Sequence, residues 1–255
     1  MFKVSHPKLA STPSNLTPPQ TATREEWVTA RKALLAKEKA LTKANDELSA
    51  LRRQLPLVKV EKAYTFEGPN GKVTFSDLFE GRKQLIIYHF MLGPDDTKGC
   101  VGCSFFADNV PAYLQHLNSR NTTLVMVSRA PYSVIEPFKK RMGWTMPWYS
   151  SFGSDFNYDF HATNDDAVAP MISNWESAES LRARGKGCHI AGEQTGLSVF
   201  LACPERGIYH TYSTFARGVD AFLATNHFLD ATPLGRQEGE RKGISWTYHD
   251  EYEDN

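Results

Sequence analysis

Between residues 23 and 56 apolar side chains recur at alternating steps of three and four: Trp27, Ala30, Leu34, Leu41, Ala44, Leu48, Leu51 and Leu55, broken by Lys37. That period predicts a long amphipathic helix. Thr23 and Glu26 have capping-box spacing, Glu25 and Glu26 fall in the first turn, Arg52 and Arg53 in the last, and Pro56 ends the run. Such a helix is about 45 Å long, more than a small domain readily covers. Its seam calls either for a second subunit, making a homodimer, or for packing along the chain's own domain. Before it, residues 1–22 hold Pro13, Pro18 and Pro19 among small polar residues and predict a disordered segment.

From Val58 the pattern changes to short strand-like runs. Tyr64–Phe66 and Val73–Phe75 flank Gly68-Pro69-Asn70-Gly71 and predict a hairpin. The continuous apolar run Leu85–Met91 predicts a strand buried on both faces, and Thr123–Ser128 a second. A helical segment from about Cys103 to Leu117 lies between them, giving a βαβ unit. Ser133 with Glu136 caps a further helix to about Met142, and Trp148–Ser150 reads as a short strand. Leu197–Ala202 and Ile208–Tyr212 flank Pro204-Glu205-Arg206-Gly207 as an antiparallel hairpin, with a helix over Val219–Leu229 after it. Two parallel strands, a crossover, a hairpin and a last helix make a thioredoxin-like order: an α/β chain with a central mixed sheet flanked by helices. The domain is expected over residues 57–238, with residues 153–196 as an elaborated loop region near the site and residues 239–255 as a polar tail.

Charge and composition remove alternatives. The 29 Lys and Arg balance 29 Asp and Glu, so no net field draws the chain toward nucleic acid or an anionic membrane. Its apolar runs fall well short of the roughly 20 residues of a membrane span, and the first twenty residues lack the apolar stretch of a secretory signal. A cytoplasmic location is the expectation. Four cysteines are too few for a disulfide scaffold in a chain of 255 residues.

Two of the four stand as Cys100-Val101-Gly102-Cys103, after a buried strand and at the start of a helix. Thiol chemistry requires the thiolate, and unsatisfied N–H groups at a helix N-terminus stabilise that anion. Cys100 is therefore the expected nucleophile and Cys103, one turn on, the resolving thiol. The partners implied are a thiol or disulfide substrate and an external reductant, with no cofactor. Arg129 and Arg217, placed at the ends of strands that should reach the thiols, are the expected anion-stabilising catalytic partners. The alternative is a soft metal such as copper held by Cys100, Cys103 and either His89 or His210. A non-catalytic dimeric binding module is the third reading. Cys188-His189 falls in a glycine-rich loop, and Cys203 reads as a small buried hydrophobe. The aromatic run Trp144, Trp148, Tyr149, Phe152, Phe156, Tyr158 and Phe160 predicts either a pocket wall or a satellite core.

Several blocks carry a family resemblance: Asp77-Leu78-Phe79-Glu80-Gly81-Arg82, Tyr88-His89-Phe90-Met91, Gly99-Cys100-Val101-Gly102-Cys103-Ser104, Ser128-Arg129-Ala130-Pro131, His210-Thr211-Tyr212-Ser213-Thr214, Ala216-Arg217-Gly218 and Pro233-Leu234-Gly235-Arg236. Over about Glu25 to Glu238 the chain resembles a thioredoxin-like family catalogued as a domain of unknown function. The resemblance implies a relation to the alkyl hydroperoxide reductase and thiol-specific antioxidant branch, and it brings no established substrate. Two departures stand out. Thioredoxins place a cis-proline where this chain has Gln194-Thr195-Gly196, and Thr97-Lys98-Gly99-Cys100 keeps the peroxidatic Thr-x-x-Cys spacing without the rest of that motif.

Overall fold

A computed structural model describes residues 21–187, 190–237 and 246–252; the predicted disordered segment lies almost wholly outside them. Two compact units divide the chain at Pro56. The first holds α1 (Arg24–Arg52), opened by the capping box: the Glu26 N–H donates to Thr23 Oγ1 at 3.3 Å and the Thr23 N–H to Glu26 Oε2 at 2.8 Å. These hydrogen bonds from Thr23 hold the Glu26 carboxyl below its ordinary range. The helix ends four residues before Pro56, none of its residues is buried, and the seam residues Leu41 and Leu51 stand exposed. No helix among the described residues is long and apolar enough to cross a membrane.

The second unit is built on an eight-stranded sheet. Its strands are β1 (Val58–Lys59), β2 (Thr65–Gly68), β3 (Gly71–Thr74), β4 (Gln84–His89), β5 (Thr122–Ser128), β6 (Trp148–Ser150), β11 (Gly196–Cys203) and β12 (Gly207–Phe215), in the order β1-β12-β11-β4-β5-β6-β2-β3. The short strands β7 (Thr163–Asn164) and β10 (Gly192–Glu193) pair with each other, as do β8 (Ile172–Ser173) and β9 (Glu176–Ser177). Strands β4, β5 and β6 are parallel; β11 joins β4 antiparallel and turns back as β12. The crossover from β4 to β5 carries α2 (Val101–Asn109) and α3 (Gln115–Asn118). Helix α4 (Tyr132–Arg141) follows β5, and α7 (Ala224–Asp230) closes the β11–β12 hairpin unit. The inner order β5-β4-β11-β12, made from βαβ and ββα units, is thioredoxin-like.

Local chemistry explains where the elements depart from the sequence pattern. The crossover helix stops at Asn109 instead of Leu117, because Pro111 has no N–H to donate and biases Val110 toward the extended conformation it adopts. The first hairpin closes tighter than its four-residue signal, Gly68 pairing with Gly71 around Pro69-Asn70, with Gly71 at φ 94°. The expected loop region is a set of small elements: β7, β8, β9, α6 (Ala178–Ala183) and β10, with α5 (Phe156–Asp159) before them.

Every residue of β5 is buried, and strand alternation divides the core in two. Tyr88, Leu124, Met126 and Trp148 face α2 and α4 together with Phe90 and Cys103. Leu85, Ile87, Val125 and Val127 face the other way, into an aromatic cluster of Tyr64, Phe66, Phe75, Phe79, Phe156, Phe160 and Phe200. The aromatic run is therefore neither one pocket wall nor one satellite core. Trp144 and Trp148 join the first cluster, Phe156 and Phe160 the second, and Phe152 is exposed.

The polar tail is anchored where it is described. Trp246 stacks on Phe105 with centroids 4.2 Å apart, and the buried Tyr248 packs edge-on to Phe138. Two spaced aromatics suffice to hold a segment whose average composition is polar.

Candidate functional site at the start of helix 2

The chain leaves β4, runs through Phe90–Gly99 and enters α2 at Cys100, the N-cap residue, with φ −60° and ψ 132°. Backbone bonds hold this entry: the Cys100 N–H donates to Met91 O at 3.1 Å, and the Ser104 N–H returns to Cys100 O at 2.9 Å. The Ser104 hydroxyl adds a second bond to the same carbonyl at 3.0 Å. Gly99 lies between two rings, where an added Cβ would come within 2.6 Å of Phe90 and 2.7 Å of Phe138. Only glycine lets the backbone pass there. The Tyr248 hydroxyl donates to Gly99 O, so the segment around Tyr248 anchors the residue just before Cys100.

The two thiols have opposite environments. Cys100 is partly exposed, and its pKa is lowered to about 6. The hydrogen bond from the Cys103 thiol is the largest cause, followed by the N–H groups of Cys103 and Gly102; partial burial and the nearby Asp96 carboxylate oppose them. Cys103 is fully buried, and that burial, with the adjacent Cys100 sulfur, pushes its thiol well above the ordinary range. The Met91 N–H donates to its sulfur at 3.4 Å and, with the nearby Tyr88 hydroxyl, offsets a small part of that rise. Tyr88 in turn bonds the Thr195 hydroxyl at 2.8 Å and stacks on Phe106. Sequence reasoning missed Tyr88 and Thr195, although alternation along β4 puts Tyr88 on the face of α2.

Cys100 opens on a cleft of about 540 Å³ whose walls include Met91, Gly93, Asp96, Arg129, Gly192 and Glu193. Arg129 thus reaches the cleft as expected, but it is already engaged. Its guanidinium bonds Glu193 at 2.8 and 2.7 Å and donates to the Tyr158 hydroxyl, while Thr163 donates to Glu193 at 2.7 Å. An arginine whose charge a carboxylate balances holds the β7–β10 wall in place and is a poor site for a further anion.

Arg217 is corrected outright. Ala216 takes φ 48° and sends the chain into a 3-10 turn, where Arg217 is three-quarters exposed, pairs with Asp220 at 2.7 Å and is absent from the cleft wall.

The histidines are corrected by strand parity. His89 follows Tyr88 and so points to the opposite side of the sheet, beside Phe156 and Phe215. Its Nε2 bonds Ser198 Oγ at 2.8 Å, Ser198 bonds Ser213 at 2.8 Å, and Ser213 bonds His210 Nε2 at 2.7 Å. Burial lowers His89 to about 3, with His210 adding to the effect, and burial also lowers His210, so both rings are neutral at pH 7. The Cys100–Cys103–His set is not assembled, and among the described residues no three His, Cys, Asp or Glu side chains gather as a metal site. Cys203 ends β11 half-buried, and Cys188-His189 lies outside the described residues.

Fold and site together define a thioredoxin-like α/β protein with a CxxC pair at a helix N-terminus. Residues 16–252 match the model of the family described as bacterial protein of unknown function, DUF899, and the chain belongs to that family. No curated protein matches it. Among solved structures it is similar to the bacterioferritin comigratory protein of Xanthomonas campestris, at 16% identity and TM-score 0.39 over 63% of this chain and 88% of that one. It is also similar to the peroxidoxin BcpB of Mycobacterium tuberculosis, at 11% identity and TM-score 0.41 over 67% and 94% of the two chains. A third is the mitochondrial 2-Cys peroxiredoxin of Plasmodium falciparum, at 15% identity and TM-score 0.41 over 66% and 89%.

Proposed function

We propose that the protein is a thiol-disulfide oxidoreductase in which Cys100 attacks a disulfide and Cys103 resolves the mixed disulfide. The observation that carries this reading is the asymmetry of the pair: one thiol acidified to about 6 and open to a cleft, the other buried behind it and poorly ionised. In exchange, the Cys100 thiolate forms a bond to one substrate sulfur and the other leaves with the electron pair. Cys103 then attacks Cys100 Sγ, the substrate sulfur departs as a thiol, and the internal disulfide remains. An external dithiol restores the pair, so two electrons pass without a bound cofactor. Stabilising the Cys100 thiolate also stabilises the reduced form, which makes the disulfide more oxidising than a pair of ordinary thiols would be.

Equilibration in glutathione buffers of graded potential tests the proposal. With Cys188 and Cys203 replaced by serine, the protein is expected to lose two thiols in one reversible transition, and Cys100→Ser in the same background to show no such transition. An unchanged thiol count across the whole range would overturn the assignment.

A further inference from the structure

The seam of α1 keeps a strict seven-residue repeat. Trp27, Leu34, Leu41 and Leu48 stand seven apart, and Ala30, Lys37, Ala44 and Leu51 repeat at the same interval three residues on, as the a and d positions of a coiled coil do. The first four are 45–63% exposed, and no residue of the helix is buried. On a straight helix of 3.6 residues per turn such a repeat drifts by about 20° per heptad, hence about 60° from Trp27 to Leu48. A sheet face or a short helix cannot follow that drift. A second long helix can, because the two wind around each other.

We infer that α1 forms a parallel, in-register, two-stranded coiled coil with the α1 of a second copy of this chain. The charges beside the seam select both the partner and the direction. Glu26 and Glu47 occupy g positions, and Arg31 and Arg52 the e positions five residues on. In a parallel pair each g residue meets the e residue five further along the other helix, and such pairs set partner choice and orientation. Glu26 then faces Arg31 of the second copy, Glu47 faces its Arg52, and the two-fold axis repeats both pairs. Within its own helix Arg31 also pairs with Glu38 at 2.8 Å, so at that end the second copy's carboxylate joins an ion pair already in place. The other g–e contacts, Ala33 with Glu38 and Ala40 with Asn45, bring no like charges together. The antiparallel register of full overlap sets Trp27 on Leu51 and Leu34 on Ala44, and there e meets e: Arg24 opposes Arg52, and Glu38 opposes Glu38. Like charges disfavour that direction.

Lys37 is the one charged residue among the eight a and d positions of α1. In the parallel register it meets its own copy, and its neighbours along the seam, Ala30 and Ala44, are small, so its stem can carry the ammonium past them to water. A single polar layer lowers the stability of a coiled coil while fixing its register and number of strands. The residue that interrupts the apolar pattern is thus the one that holds two copies in step.

Sedimentation equilibrium of the reduced, full-length chain tests the pairing. The parent is expected to be a dimer. Leu41→Glu, which puts a charge in a central a layer of a helix that buries nothing of its own, is expected to be a monomer. Lys37→Leu is expected to lower the dissociation constant on the order of tenfold or more, because it replaces the polar layer by an apolar one. Glu47→Arg is expected to weaken the dimer, since it sets a cation against Arg52, and Glu47→Arg with Arg52→Glu to restore it; these exposed changes carry the test if Leu41→Glu fails to fold. A parent that stays monomeric at its highest soluble concentration would overturn the pairing and assign the seam to its own domain or to another protein. A dimer that survives Leu41→Glu would overturn it by placing the interface elsewhere. A dimer lost in Leu41→Glu but indifferent to Glu47→Arg would overturn the parallel register.

Discussion

Cys103→Ala is expected to stall the protein as a stable mixed disulfide at Cys100, with multiple-turnover disulfide reduction falling by orders of magnitude. The substitution removes the proposed resolving thiol and also the largest source of Cys100 acidity. These effects separate with pH. As the Cys100 pKa rises from about 6 toward the ordinary thiol value near 8.5, its ionised fraction at pH 7 falls about thirtyfold. Thiolate nucleophilicity rises with basicity, with a Brønsted slope of about 0.4–0.5, and recovers roughly tenfold of that loss. First attack at pH 7 should therefore slow only about two- to threefold, but by on the order of tenfold at pH 6. Mass spectrometry of the trapped adduct and the rate of the first half-step at the two pH values check both parts. Normal turnover in Cys103→Ala would exclude the resolving role.

The second large effect is on stability and belongs to the opposite face of the sheet. Phe156 is fully buried at the centre of the aromatic cluster, with ring centroids 4.8–5.6 Å from Tyr64, Phe66, Phe75 and Phe160. Phe156→Ala is expected to cost about 3–5 kcal/mol, since removal of a buried ring leaves a cavity that surrounding strands cannot collapse to fill. Denaturant unfolding followed by tryptophan fluorescence measures it. The reaction of Cys100 should change little below the transition, because β4 and β5 separate Phe156 from the thiols. A loss of less than about 1 kcal/mol would show that this cluster is not a second core.

How much of this was legible in the sequence depended on how local each signal was. The capping box at Thr23 and Glu26, the buried runs of β4 and β5, and the CxxC pair at a helix start are contiguous, and the structure places each where the sequence does. The site's partners needed information from distant segments. Strand parity alone could have sent His89 away from the thiols and Tyr88 toward them, because the two are neighbours in one strand and only one can face α2. Arg129 was found, but its balance by Glu193, 64 residues on, depends on the β7–β10 pairing, for which no hydrophobic period exists. Arg217 was misplaced because nothing in Phe215-Ala216-Arg217 signals the positive φ at Ala216 that turns the chain aside. Trp246 and Tyr248 stand out in the polar tail, but nothing local to them shows that they pack on Phe105 and Phe138.

The acidity of Cys100 follows from its neighbours, and its consequences have a definite sign. A thiol held at about 6 in the fold and near its ordinary value of about 8.5 in the unfolded chain favours the reduced fold as a thiolate. That contribution is fully present above about pH 8.5 and is lost as pH falls through 6. The same ionisation controls attack on disulfides and alkylating agents alike, so reactivity reports it without a known substrate.

The pH dependence of Cys100 carboxamidomethylation by iodoacetamide, followed by peptide mass spectrometry on the reduced protein, is therefore the most direct measurement. The expected profile is a single ionisation with its midpoint near 6, while Cys103 remains unmodified across the range. A Cys100 midpoint in the ordinary thiol range of about 8.5, or modification of Cys103 at a comparable rate, would contradict the account.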